Sequence, residues 1–427
     1  MFVGITNTPR DYAWGATDAI AAALGRTPSG APEAELWLGA HIGSPSVIDT
    51  PAQVGGARDL VEWIAAAPLD ALGEMRGTAT AADAPQLPFL LKLLAAAKPL
   101  SLQAHPSAER ASVGFALENA AGVPIDAFDR NYKDPFPKPE LIVALSETFE
   151  ALCGFRTIAE IHRIFDELRA IDATTDEPQT EALDTLERRL VGDDALHDVV
   201  EWLLRDGRGE DSGEVVWLVE RVVALAEQAL FLADGGAQIS FLRELATVRS
   251  LSVEYPGDPG IVLSLLLNRV TLSRGEALYL PAGNIHAYLF GFGVELMAAS
   301  DNVLRGGLTP KHIDVDELLD VLDFAPLPVP YLAPQQLSPG VSVFRPPVPE
   351  FQLVHIEADA AAAGTLPPMR QVALAGPAIA VCLTGGFLVA GESSSVALKR
   401  GESVYITPDE GTVTFAGAGE VFLAMPQ

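Results

Sequence analysis

Four polar side chains, far apart along this chain, sit in local patterns that could together do metal chemistry. Between Gly275 and Phe290, a Gly275-Glu276 turn is followed by four mostly apolar residues, then Pro281, Gly283 and His286. Glycine and proline shape turns, so these offsets aim His286 inward along a strand. One imidazole cannot hold a metal, and only seven histidines occur in the chain. In KPLSLQAHP, Ser101, Gln103 and His105 alternate with Leu100, Leu102 and Ala104, and residues two apart in a strand share one face. Glu140 opens the apolar run ELIVAL, where a carboxylate is either a solvated strand end or a paired group. Two imidazoles, one carboxylate and one amide oxygen form an N/O set that suits zinc with positions left open to water or substrate. Iron, manganese or cobalt would also fit.

The Gly275 to His286 spacing resembles the second half of the cupin metal-binding signature. The runs SLQAHP, KPEL, LPAGNIHAYL and VELMAASDNVLRGGLTPKHID follow in that order, with DYAWG and AELWLGAHIGSPS ahead of them. Together they resemble the type I phosphomannose isomerases over roughly the whole chain. The resemblance implies an enzyme that interconverts mannose 6-phosphate and fructose 6-phosphate with one zinc ion per chain, held by Gln103, His105, Glu140 and His286. It also implies that Arg305 is the arginine associated with catalysis. Many family members read Asn-His-Lys-Pro-Glu up to the glutamate, whereas this chain reads Phe136-Pro137-Lys138-Pro139-Glu140. Pro137 therefore stands where those members have the histidine beside the lysine.

Aldose–ketose interconversion moves a proton between adjacent carbons through an enediol, so it needs a base and a means of stabilising negative charge. Two candidates for the base are Glu295, the first carboxylate after His286, and Lys138, two residues before Glu140. Arg305 offers a guanidinium fork suited to a phosphate or an enediolate, and Ser101, Lys138 and Lys311 join it as candidate substrate-binding residues. Trp14 and Trp37 are expected in the core rather than on the sugar pocket. Asp301 and Asn302 are expected to cap a turn, and His41, His162, His197, His312 and His355 to be structural or solvated. Two other readings stand beside the leading one: an isomerase of the same fold acting on another aldose or aldose phosphate, and a non-enzymatic, metal-dependent sugar-binding protein.

The elements that must position these groups are read from pattern and composition. At 427 residues, two or three domains are expected. The chain reads as mainly β with a helical insertion, and the resemblance implies two cupin-like (jelly-roll) β-barrels plus an α-helical domain. ELWLGAH, LPFLLKLL, KPLSLQA and ELIVALSE read as strands, and ARDLVEWIAAAPLDALGE as one helix. Ile158, Ile161, Phe165 and Leu168 fall on one helical stripe. The helical block covers 156–252, dividing a metal-binding domain of 1–155 and 253–325, and a C-terminal cupin-like domain without metal covers 326–427. LSRGEALYL around Glu276 repeats as LKRGESVYI around Glu402. At that offset His286 corresponds to Thr412, so the second copy keeps the turn and loses the ligand.

The net charge of −29 argues against nucleic acid and anionic membranes as partners. It leaves a small phosphosugar open, because local cations govern a pocket once distant charge is screened over about 8 Å. No run of ~18 apolar residues occurs, and Cys153 and Cys382 lie too far apart in sequence to suggest a disulfide framework. A cytoplasmic monomer is expected.

Overall fold

Nearly every strand of the chain enters one of two antiparallel sheets, and helices fill the sequence between the strands of the first. The structure, a computed structural model, describes residues 1–74, 85–208, 213–359 and 369–427. The stretch Gly77 to Pro88, rich in Ala, Thr and Pro, reads as a loop and Arg208 to Gly213 as a polar break between helices; most of each lies outside the described residues.

The first sheet is organised by the strand His286–Ala298, which pairs with Phe89–Ala96, Glu140–Ala144, Thr148–Phe155 and Leu102–Ala104 along its length. Its start therefore stands beside Gln103, and its far end beside Glu140. Phe89–Ala96 is buried at every position, as expected of a strand covered on both faces. Among the described residues between 158 and 266, every regular element is a helix. Thr157 caps the first of these helices by accepting a hydrogen bond from the Glu160 N–H, and its buried stripe joins a core that includes Leu102 and Ala104. The opposite alternation of that short strand sends Gln103 toward the other side. The helix expected over ARDLVEWIAAAPLDALGE is instead two, Leu60–Ala66 and Pro68–Leu72, because Pro68 has no N–H to continue the first and starts the second.

The second sheet contains the tail and also the N-terminus. Phe2–Thr6 pairs with Ser403–Ile406, and Val47–Ile48 pairs with Phe2–Thr6. The expected division at 326 thus does not follow the sheets: the first strand of the chain closes onto one of the last. One hydrophobic core, with Val3, Leu91, Val294, Ile379 and Phe422 among its members, spans both sheets. Arg274, from the first sheet's turn, reaches Glu420 of the second at 2.6 Å.

The repeat is visible in atomic detail. Gly275 and Gly401 both adopt positive φ, 87° and 84°, and the following glutamate caps the turn in each: Ser273 N–H donates to Glu276 at 2.7 Å and Lys399 N–H to Glu402 at 2.8 Å. His286 and Thr412 each begin the long strand that follows.

Glu410, in the short helical turn Pro408–Glu410 between two strands of the second sheet, is a fully buried carboxylate that accepts from the Ser394 hydroxyl and from the N–H groups of Ser393 at 3.0 Å and Ser394 at 3.2 Å. Burial by itself would raise its pKa, but these donors hold it down at about 2. A depressed folded-state value stabilises the fold above the unfolded pKa of roughly 4.3 and loses that stability as pH falls through about 2. Glu410→Gln is therefore expected to lower stability by about 1–3 kcal/mol at neutral pH. Thermal unfolding of both proteins from pH 7 downward should show the gap closing below pH ~4; a gap that stays constant with pH would remove the carboxylate's role.

Candidate metal centre

Three neighbouring strands place Arg305, Gln103 and His286 side by side, since Arg305 pairs in register with Gln103 and Gln103 with His286. Glu140 enters from the start of its own strand and His105 from just past Leu102–Ala104. One ligand atom from each of His105, Glu140 and His286 lies within 4.8 Å of the others. His105 Nε2 is 3.2 Å and His286 Nε2 3.4 Å from the Glu140 carboxylate. The Gln103 amide end is 3.3 Å from His286 Nε2, and a half-turn of that amide presents its oxygen there instead.

The protonation of this cluster suits a divalent cation. His105 Nδ1 is 2.8 Å from the Asn302 carbonyl and His286 Nδ1 is 3.0 Å from the Asn284 carbonyl. Each Nδ1 then carries the proton, leaving both Nε2 lone pairs turned toward Glu140. Burial holds His105 neutral, with its pKa down at about 4. Burial would push Glu140 up, yet with the Lys138 ammonium beside it the carboxyl stays well below the ordinary carboxylate value. His105 Nε2 and one Glu140 oxygen are buried with no hydrogen-bond partner among the described residues. Orphaned acceptors of this kind are costly unless something binds them, and a cation on the two imidazoles and the carboxylate satisfies them.

Beside the cluster lies a cavity of about 440 Å³ whose lining includes Gln103, Ser101, Lys138, Arg305 and Lys311, and Gln103, in contact with His286, joins the two. Lys138 Nζ lies 3.3 Å from Glu140. Arg305 and Lys311 have no carboxylate partner among the described residues; burial lowers both pKa values, and the Arg305 charge lowers Lys311 further. Glu295 does not line the cavity. It is buried on His286–Ala298 behind Lys92, whose Nζ is 2.9 Å from Glu295 and 3.7 Å from Glu35. Burial alone would lower the Lys92 pKa, but the two carboxylates raise it.

Several residues that the sequence did not single out for the site line or brace it. Trp14 and Trp37, expected in the core, line the cavity. Lys92 stands 5.1 Å from the Trp37 ring, and the indole N–H donates to Glu35 at 2.8 Å. Asp301 is a cavity wall rather than a cap, and its partner is His41, at 3.1 Å. Asn302 braces the loop through Asp134 and Phe136 while its carbonyl orients His105. Only the position of Asp301 and Asn302 inside the longest motif run hinted at this. Lys92 sits in an otherwise apolar strand, which was a usable signal because a buried lysine demands carboxylates.

Residues 2–158 match the family model of the type I phosphomannose isomerase catalytic domain. The chain is 36% identical to the mannose-6-phosphate isomerase of Escherichia coli (strain K12), over 98% of this chain and 97% of that one. It is 32% identical to that of Rattus norvegicus, over 89% and 85%. The apo form of mannose 6-phosphate isomerase from Salmonella typhimurium superposes with a TM-score of 0.81 at 34% identity, covering 100% of this chain and 99% of that one. A zinc-bound mannose 6-phosphate isomerase gives the same figures.

Proposed function

The chain belongs to the type I phosphomannose isomerases, and from that premise we propose that it interconverts mannose 6-phosphate and fructose 6-phosphate through an enediol with one zinc ion held by Gln103, His105, Glu140 and His286. The observation that carries the reading is the buried, orphaned acceptor set beside a cavity lined by four cations, Lys92, Lys138, Arg305 and Lys311, and two carboxylates, Glu35 and Asp301. Zinc in that position supplies Lewis acidity and a template for the sugar oxygens.

The chain's own residues divide the remaining work. Arg305 and Lys311, cations without carboxylate partners among the described residues, suit the phosphate dianion, with the Ser101 hydroxyl beside them. Arg305, paired in register with Gln103 and lining the same cavity, is also assigned to stabilising charge developing on the enediolate. Lys138 lines the cavity 3.3 Å from Glu140, which supports assigning it the proton transfer between the two carbons. Glu295 is assigned to holding Lys92 in place, since Lys92 stands between it and the cavity. No histidine flanks Lys138, and Pro137 and Pro139 instead fix the backbone on either side of it. The two sheets with their repeated capped turn are read as two cupin-like halves, of which the first holds metal.

The test is isomerisation of mannose 6-phosphate in tritiated water. Wild type should wash label into the sugar as it turns over, Lys138→Met should lose both turnover and label by roughly 10²–10⁴-fold, and Glu295→Gln should retain exchange. Turnover with no label entering under any condition would sink the enediol route, and exchange surviving in Lys138→Met would acquit that lysine.

A further inference from the structure

His41 lies outside the metal cluster, yet its ring is fixed on three sides. Gly43 N–H donates to Nδ1 at 3.0 Å, and the Trp37 ring packs edge-on with centroids 4.8 Å apart. Nε2 stands 3.1 Å from Asp301 Oδ2. With Nδ1 accepting, the proton of a neutral His41 sits on Nε2, the nitrogen that faces Asp301. The loop carrying the ring is itself braced: Gly39 and Ser46 exchange hydrogen bonds, Ser44 N–H returns to the His41 carbonyl, and Asn7 ties Trp37 to Ser44. Gly43 approaches so closely that a β-carbon there would stand 3.2 Å from Nδ1.

Asp301 is anchored from its other end, because its N–H donates to Asp134 at 2.8 Å while the neighbouring Ser300 and Asn302 hold the same carboxylate. Its own side chain remains 47% exposed and lines the cavity. Oδ1 accepts nothing from the protein among the described residues, while Oδ2 faces His41. A carboxylate is an acceptor only, and a sugar presents hydroxyl donors. The cavity's cations are matched to phosphate and cannot serve those donors.

We propose that His41 is a positioning residue: it holds the Asp301 carboxylate so that Oδ1 accepts a hydrogen bond from a hydroxyl of the sugar, giving the ring end of the substrate its acceptor. This rests on the phosphosugar reading of the cavity. The interaction is made to substrate and transition state alike, so its loss raises KM with little change in kcat.

The experiment compares wild type, His41→Phe, His41→Gln, Asp301→Asn and the His41→Phe/Asp301→Asn double variant as zinc-loaded enzymes on mannose 6-phosphate. His41→Phe keeps an aromatic ring against Trp37 and removes the donor; KM is expected to rise about 10-fold with kcat within about 3-fold. His41→Gln, which carries an N–H at the matching distance, should recover most of that loss. The double variant should be no worse than Asp301→Asn alone, because the two residues act as one unit. An unchanged KM in His41→Phe, a fall in kcat that tracks lost metal or lowered Tm, or additive effects in the double variant would each overturn the proposal. Failure of wild type to turn over mannose 6-phosphate would count against the functional reading instead, so the two failures are distinguishable.

Discussion

Stripping the metal with a chelator should cut isomerisation by on the order of 10³-fold, since polarising a carbonyl oxygen is worth several kcal/mol and each 1.36 kcal/mol is tenfold in rate. Zinc added back should restore it. The reasoning starts from the cluster's protonation. Each Nδ1 faces a backbone carbonyl, the free Nε2 atoms point at Glu140, and that carboxylate stays ionised although buried. Glu140→Ala deletes the anionic member and leaves two imidazoles and an amide, so it should fail to regain activity or metal under conditions that reload wild type. Elemental analysis alongside the rate checks both halves. Full activity in protein shown to be metal-free would refute the ligand assignment outright.

Arg305→Ala is expected to reduce kcat by roughly 10²–10³-fold, the range seen when one donor to a developing oxyanion is removed, with zinc content unchanged. Arg305 neighbours Gln103 in register and yet has no carboxylate partner among the described residues, so its charge is available to substrate. Lys at this position keeps the charge and loses the planar fork, so Arg305→Lys should recover only a small part of the rate. Steady-state kinetics with metal analysis decides it. A wild-type rate in Arg305→Ala would remove the arginine from the mechanism, and a parallel loss of zinc would show that it supports the ligands instead.

The cluster of Gln103, His105, Glu140 and His286 was legible because its members sit in short-range patterns. Alternation around Gln103 and His105, a Gly-Glu turn ahead of His286 and a lone acid opening an apolar strand are local statements, and local backbone geometry honours them: the turn glycine has positive φ and the strand faces alternate. The repeat at Glu276 and Glu402 was readable for the same reason, since each glutamate caps a turn built from its immediate neighbours. The helix from 158 carried its own start signal in Thr157 and Glu160.

What failed to show in sequence was pairing across distance. Nothing near Phe2 announces that it completes a sheet with Ser403–Ile406, because antiparallel partners are chosen by tertiary fit and not by neighbours in the chain. Glu295 looked free to act as a base until the structure placed Lys92 over it. Asp301 looked like a turn cap until His41, more than two hundred positions earlier, was found at 3.1 Å. The sequence by itself determined which side chains can bind a cation and which strands aim them, since both follow from residue type and period. Only the tertiary structure decided which charges neutralise one another and which remain for the substrate, because a charge's role depends on what packs against it in space.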